Sequence, residues 1–138
     1  MINRTTPLKY QSGFDYQVAE DFTIDTGIVT EYGAKWHFSY LDPDGLLTIK
    51  RGYCWDGASG PAWDTKNSLS ASCVHDVLYQ LMRKGLLSTE HKARVDKLFH
   101  EMLIENGMWK FRADAWYRAV KEFGFEAIAE PERIREAP

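Results

Sequence analysis

Cysteine is scarce, with two in 138 residues. That excludes a disulfide framework, and for Cys54 and Cys73 a buried pair of free thiols is the default in a reducing compartment. No apolar run approaches the ~20 residues that a membrane-spanning helix needs. Basic clusters are also missing: Lys and Arg are scattered among acids, and the formal net charge is -3. Neither a nucleic-acid footprint nor electrostatic attraction to an anionic membrane is therefore expected. The opening Met1-Ile-Asn-Arg-Thr-Thr-Pro-Leu8 lacks the apolar stretch of a secretory signal, which leads to the expectation of a soluble cytosolic protein. Internal repeats and low-complexity tracts are absent.

What the chain does have is apolar and aromatic material. Hydrophobic residues make up 44%, and there are five Trp, seven Tyr and seven Phe. A single domain over residues 1–138 is expected, since a chain of this size buries roughly two-thirds of its unfolded surface. Some aromatics can also serve a partner surface. Two textures follow one another, a β part over about residues 10–53 and a loop plus helices over about 54–124. Residues 125–138 form a charged, proline-bearing and loosely held tail. In the β part, Phe14–Ala19, Phe22–Ile24 and Lys35–Tyr40 alternate apolar and polar residues. Asp42-Pro-Asp-Gly45 has the composition of a tight reversal into Leu46–Lys50.

From Ser68 the period turns helical. Ala71, Val74, Leu78 and Leu81 share one face, and Gly85 marks a stop. Ser88 or Thr89 can cap a second helix carrying Val95, Leu98, Phe99, Met102 and Leu103, which ends before Gly107. A third runs from about Phe111 to Phe123, with Ala113, Trp116, Tyr117 and Val120 inward and Gly124 as its stop. The fold class is α+β: a small antiparallel sheet, then three helices, the first two an antiparallel pair.

The chemistry concentrates in Cys73-Val-His-Asp-Val-Leu-Tyr79 and in Asp96. His75, Asp76 and Tyr79 stand at spacings that let them border one groove. Asp96 shares the apolar face of its helix with Phe99 and Leu103, where a carboxylate is costly unless paired. His75 is the obvious partner if the two helices pack antiparallel. The acid then fixes the imidazole tautomer and leaves the other ring nitrogen as a base toward water, and Asp76, pointing elsewhere, is free to hold a cation. The competing reading is a packed core histidine with Asp96 bonded to a backbone amide or to Tyr79.

Upstream lies Gly52-Tyr-Cys-Trp-Asp-Gly-Ala-Ser-Gly-Pro61. Gly57 and Gly60 permit a tight turn or close approach to a ligand, and Pro61 stiffens the exit. Hard cations accept backbone carbonyls together with carboxylates, so this loop and Asp76 can form one site. Asp56 either adds a carboxylate or makes an Asx turn, and the loop itself also reads as a plain strand-to-helix turn. Asp96, His100 and His75 offer a Zn²⁺ set instead, with a solvent-facing His100 as its rival. A Cys73–His75 nucleophile pair is disfavoured, because residues two apart on a helix face different sides.

The pattern Gly52-Tyr-x-Trp-Asp-Gly-Ala-Ser59, His75-Asp-x-Leu-Tyr79, Asp96-x-x-Phe99 and Phe123-Gly124 resembles a family of small uncharacterised proteins of tailed phages and prophages. It extends over about residues 14–124. A narrower stretch, about residues 52–103, is similar to phospholipase A2 enzymes, especially the short form in parvovirus capsids. That second resemblance implies that His75 activates water, Asp96 orients His75, and Tyr79 supports Asp96. It also implies that Asp76 and the loop carbonyls of Trp55, Gly57 and Ser59 bind Ca²⁺. The chain has fewer loop glycines than those enzymes and lacks the many cysteines of the secreted ones.

The expectation is a phage-encoded, metal-assisted hydrolase acting on a phospholipid or another ester or amide, with Ca²⁺ or alternatively Zn²⁺. It would reside in the bacterial host cytoplasm, with virion association open. The rival is a non-catalytic phage structural or host-interaction protein in which the His-Asp-Tyr cluster only locks the helix pair.

Overall fold

The computed structural model describes residues 16–55 and 66–129. Among these residues six short strands come first: β1 (Tyr16–Gln17), β2 (Phe22–Asp25), β3 (Ala34–Trp36), β4 (Ser39–Leu41), β5 (Leu46–Ile49) and β6 (Cys54–Trp55). They are followed by α1 (Lys66–Arg83), a 3₁₀ turn (Thr89–His91), α2 (Lys92–Glu105) and α3 (Lys110–Ala129). The architecture is α+β. One antiparallel sheet has the order β2-β5-β4-β3, and β1 pairs with β6 in a separate two-stranded ribbon.

The β4–β5 reversal follows from its residues. The Asp42 carboxylate accepts from the backbone N–H groups of Asp44 at 2.9 Å and Leu46 at 3.0 Å. Gly45 takes a φ of 103°, which a side chain would strain. The turn sets the register in which Leu41 faces Leu47. Both are fully buried, as is Ile49.

The helices stack behind this sheet around α1, whose Ala71, Val77, Leu78 and Leu81 are 0% exposed. Each large aliphatic side chain buried this way contributes about 1.5–3 kcal/mol, so apolar packing is a large part of what holds α1 in place. A short link through Gly85 and Ser88 joins α1 to α2. At the far end, Nδ2 of Asn106 donates to the Asn67 carbonyl at 3.2 Å and to Ser70 Oγ at 2.9 Å. The two helices are therefore antiparallel, as their spacing predicts. The Ser88 hydroxyl caps the 3₁₀ turn by accepting from the Glu90 N–H, and Gly85 adopts the left-handed φ of 72° that ends α1.

Three boundaries differ from the sequence reading. Lys35–Tyr40 is two strands: the chain reverses at His37-Phe38, pairing Trp36 with Ser39 and Lys35 with Tyr40. The turn shifts the inward positions by one, from Ala34 and Trp36 to Ser39 and Leu41. Trp36, Phe38 and Tyr40 nonetheless alternate in the sequence straight through it, and neither turn residue is one of the usual turn formers, so the pattern reads as unbroken. The first expected strand, Phe14–Ala19, contracts to Tyr16–Gln17 among the described residues. Finally, α3 does not stop at Gly124 but continues to Ala129, with Gly124 buried inside it. The reason lies in the side chains that Gly124 faces.

Candidate functional site

Asp96 is 0% exposed in the middle of α2. A carboxylate there is tolerated only if its charge and lone pairs are met. Three side chains do so. Oδ1 accepts from the Tyr79 hydroxyl at 2.6 Å and lies 2.9 Å from Nε2 of His75. Oδ2 accepts from the Lys92 ammonium at 2.7 Å. Lys92, one turn earlier on α2 and itself buried, also donates to the carbonyls of Val120 at 3.2 Å and Lys121 at 3.3 Å on α3. The Phe125 ring lies 4.8 Å from the same ammonium. One carboxylate thus ties all three helices together.

Burial by itself would push the Asp96 carboxyl up, but hydrogen bonds from His75, Lys92 and Tyr79 outweigh it and hold the group below the usual carboxylate range. The Tyr79 phenol is raised by burial and by its bond to Asp96, so it stays a donor. With an ionised carboxylate as partner, Nε2 of neutral His75 carries the proton and Nδ1 is left as the basic nitrogen. Nδ1 has no hydrogen-bond partner among the described residues. The imidazole packs against Tyr79 and Phe99, with ring centroids 4.0 and 4.8 Å away, and its side chain keeps 13% of its exposure.

Gly124 completes this cluster by having no side chain. A Cβ at that position would stand 2.2 Å from the Tyr79 hydroxyl oxygen and 2.7 Å from Cε of Lys92. A glycine inside a helix costs about 1 kcal/mol relative to alanine, and here it opens the space in which phenol and ammonium reach Asp96.

Asp76, the next residue on α1, does not join the cluster. Its Oδ2 accepts from the hydroxyl of Tyr53, just before β6. Among the described residues no basic side chain comes within 4.0 Å of it. Burial pushes its carboxyl upward, opposed by the Tyr53 bond and by the charges of Arg83 and His75 at longer range. Trp55 is anchored beside it: its indole N–H donates to Ser72 Oγ at 3.1 Å, and its ring lies 5.5 Å from that of Tyr16. Gly57 and Ser59, the other loop residues of the expected Ca²⁺ set, lie outside the described residues, as do Asp56 and Gly60.

Among the described residues no three His, Cys, Asp or Glu side chains gather as metal ligands. Asp76 by itself is one carboxylate, and a Ca²⁺ ion takes about six to eight oxygen ligands, so the described residues hold at most part of such a site. That carboxylate is largely enclosed and held by a neutral donor, and its Oδ1 accepts no hydrogen bond from the described residues. His100, from the Zn²⁺ set, is engaged elsewhere: its Nε2 lies 2.7 Å from Asp114 Oδ1, which links α2 to α3. Burial pushes the Cys73 thiol up to about 12, unsuited to a nucleophile.

Three participants are given no place in the site by the sequence reading. Lys92 has a visible signal, since it stands four residues before a buried acid and can share its helix face. Gly124 and Tyr53 are conspicuous only as parts of patterns, and nothing local shows which groups they meet.

The fold is a small antiparallel sheet backed by three helices, with a His–Asp–Tyr–Lys cluster buried between them. The chain belongs to the family described as "Protein of unknown function (DUF1353)", whose model matches residues 34–120. That span runs from β3 into α3 and contains Tyr53, His75, Asp76, Tyr79, Lys92 and Asp96. No curated protein and no solved structure matches the chain. Among the described residues, no helix is long and apolar enough to cross a membrane.

Proposed function

We propose that this protein is a phage-encoded, metal-assisted hydrolase resembling phospholipase A2, in which His75 is the general base and Asp96 its orienting partner. The observation that carries the reading is the 2.9 Å contact between His75 Nε2 and Asp96 Oδ1. It assigns the proton to Nε2 and leaves Nδ1 uncommitted on a ring with residual exposure. In this mechanism Nδ1 takes a proton from water as the water oxygen attacks an ester or amide carbonyl, and returns it to the departing oxygen or nitrogen. Asp96 stabilises the imidazolium formed in between, while Tyr79 and Lys92 keep the Asp96 carboxylate in place. Phospholipid is the substrate class the resemblance favours, and the protein would act in the bacterial host cytoplasm or from the virion.

Asp76, with the carbonyls of Trp55, Gly57 and Ser59, would hold Ca²⁺. When bound, such a cation polarises the scissile carbonyl. The Zn²⁺ alternative through His75, Asp96 and His100 is less favoured, because His100 is paired with Asp114.

Lys92 favours a second reading. Its bonds to Asp96 and to two α3 carbonyls suit a cluster that only locks the helices of a non-catalytic phage structural or host-interaction protein. Thermal melting of chelator-treated protein, titrated with Ca²⁺ and separately with Zn²⁺, tests the metal-assisted reading. A cation that binds only the folded state at 100 times its Kd adds about 2.7 kcal/mol of stability. The expected result is a rise in Tm with Ca²⁺ that disappears in Asp76→Ala. A shift with Zn²⁺ alone redirects the reading to a zinc peptidase or amidase, and no shift with either supports the structural one.

A further inference from the structure

We infer that the outward face of α3 is a self-complementary docking surface, on which a second copy of this chain packs its own α3 in antiparallel orientation. The inference does not depend on the metal-assisted reading.

The face is set by spacing. Phe111, Ala115, Arg118, Glu122, Phe125 and Ala129 recur at alternating steps of four and three residues, the d and a positions of successive heptads. At 3.6 residues per turn they fall within an arc of about 80°. All six are exposed, Phe111 at 68% and Phe125 at 62%. Ala113, Trp116, Gly124 and Ile128, the buried residues of the helix, lie on its other side. Because α3 runs through Gly124 to Ala129, the stripe continues along a 20-residue helix, about 30 Å long. Two bulky aromatics are thus held at heptad spacing on the solvent side.

The order of residues along the stripe selects the partner. Antiparallel helices that meet through heptad stripes set each a position of one against a d position of the other. With the two-fold axis passing beside Val120, Phe111 of one copy meets Ala129 of the other, Ala115 meets Phe125, and Arg118 meets Glu122. Symmetry makes each pair occur twice. Every ring then faces a methyl group and every guanidinium faces a carboxylate. Sliding the partner by one heptad in either direction puts a phenylalanine on Glu122 and leaves Arg118 facing an alanine. A parallel pairing in register sets Arg118 against Arg118 and Glu122 against Glu122, which like charges oppose. Among these arrangements the antiparallel one about Val120 matches both size and charge.

The surface also abuts the buried cluster. The Phe125 ring lies 4.8 Å from the Lys92 ammonium that Asp96 accepts from, so covering Phe125 shields that ion pair from water. A contact limited to one helix per copy lies at the small end of specific interfaces, which bury about 800 Å² per partner. The dimer is therefore weak and concentration-dependent.

Sedimentation equilibrium of the full chain from about 1 μM to about 1 mM tests this. Wild type is expected to rise from 15.9 kDa toward twice that mass. Arg118→Glu and Glu122→Arg each set like charges together at two places, and each is expected to weaken dimerisation at least about 10-fold. The double variant Arg118→Glu/Glu122→Arg restores both cross-pairs and is expected to return the dimer Kd to within about threefold of wild type. Both positions are exposed, and an unchanged Tm in dilute solution shows that the variants fold. Three results overturn the inference. A monomer throughout the range removes the dimer. A dimer indifferent to the single variants uses another surface, and no recovery in the double variant refutes the register.

Discussion

Asp96 and Asp76 both leave helices toward the protein interior, and their surroundings treat negative charge in opposite ways. Asp96 is sealed from solvent and met by an ammonium, a phenol and an imidazole. Its carboxyl is held below the ordinary range. Among the described residues Asp76 is hydrogen-bonded by the Tyr53 phenol, and burial pushes its carboxyl upward against that bond and the more distant charges of Arg83 and His75. Among the described residues, one environment meets the charge with an ammonium and the other with a neutral phenol. An acid met by an ammonium keeps its ionised form on burial, whereas one met only by a neutral donor is driven toward its protonated form.

Removing the compensation from Asp96 should have the largest effect. Lys92→Met keeps the apolar stem but leaves a fully enclosed carboxylate without its ammonium, and breaking a buried pair from one side costs about 3–5 kcal/mol. Urea or thermal unfolding measures this directly. A loss under about 1 kcal/mol, the range of exposed ion pairs, would mean that Lys92 does not balance Asp96 and that the contrast between the two acids is not real.

A smaller effect with an inverted sign sharpens the same point. Glycine to alanine inside a helix ordinarily stabilises by about 1 kcal/mol. Gly124→Ala would instead drive a methyl group into the Tyr79 hydroxyl and the Lys92 stem. Overpacking of that kind costs about 1–3 kcal/mol. The expected outcome is a lower Tm, and a raised Tm would show that the Tyr79–Lys92–Asp96 arrangement has room to spare.

Much of the architecture was legible because its signals are local. The helical spacing of Ala71, Val74, Leu78 and Leu81, the stop at Gly85 and the Asp42–Gly45 turn all act through residues close in sequence. The α+β class and the antiparallel pair of helices follow from them. The β3–β4 reversal was not legible, since His37-Phe38 carries no turn chemistry and the alternation runs straight through it. Gly124 misled for a related reason. Glycine marks a helix end by backbone freedom and a helix interior by absence of a side chain, and only the groups facing it tell the two apart.

The candidate site divides along the same line. His75, Tyr79 and Asp96 could be singled out from spacing on two amphipathic helices, and their contacts are those of antiparallel neighbours. Tyr53 arrives on Asp76 from a separate part of the chain, 23 positions earlier. Lys92 reaches α3 from 28 positions away. Contacts of that range depend on how the ribbon and the third helix dock, which no short pattern encodes.

The central claim is that His75, held by Asp96, activates water for attack on an ester. Its most direct test is fatty-acid release from phosphatidylcholine micelles with Ca²⁺ present, measured for wild type and for a folded His75→Gln variant. The account predicts release by wild type and a fall of about 10²- to 10⁴-fold in the variant, the usual contribution of a general base. No release by wild type, or equal release by both proteins, would contradict it.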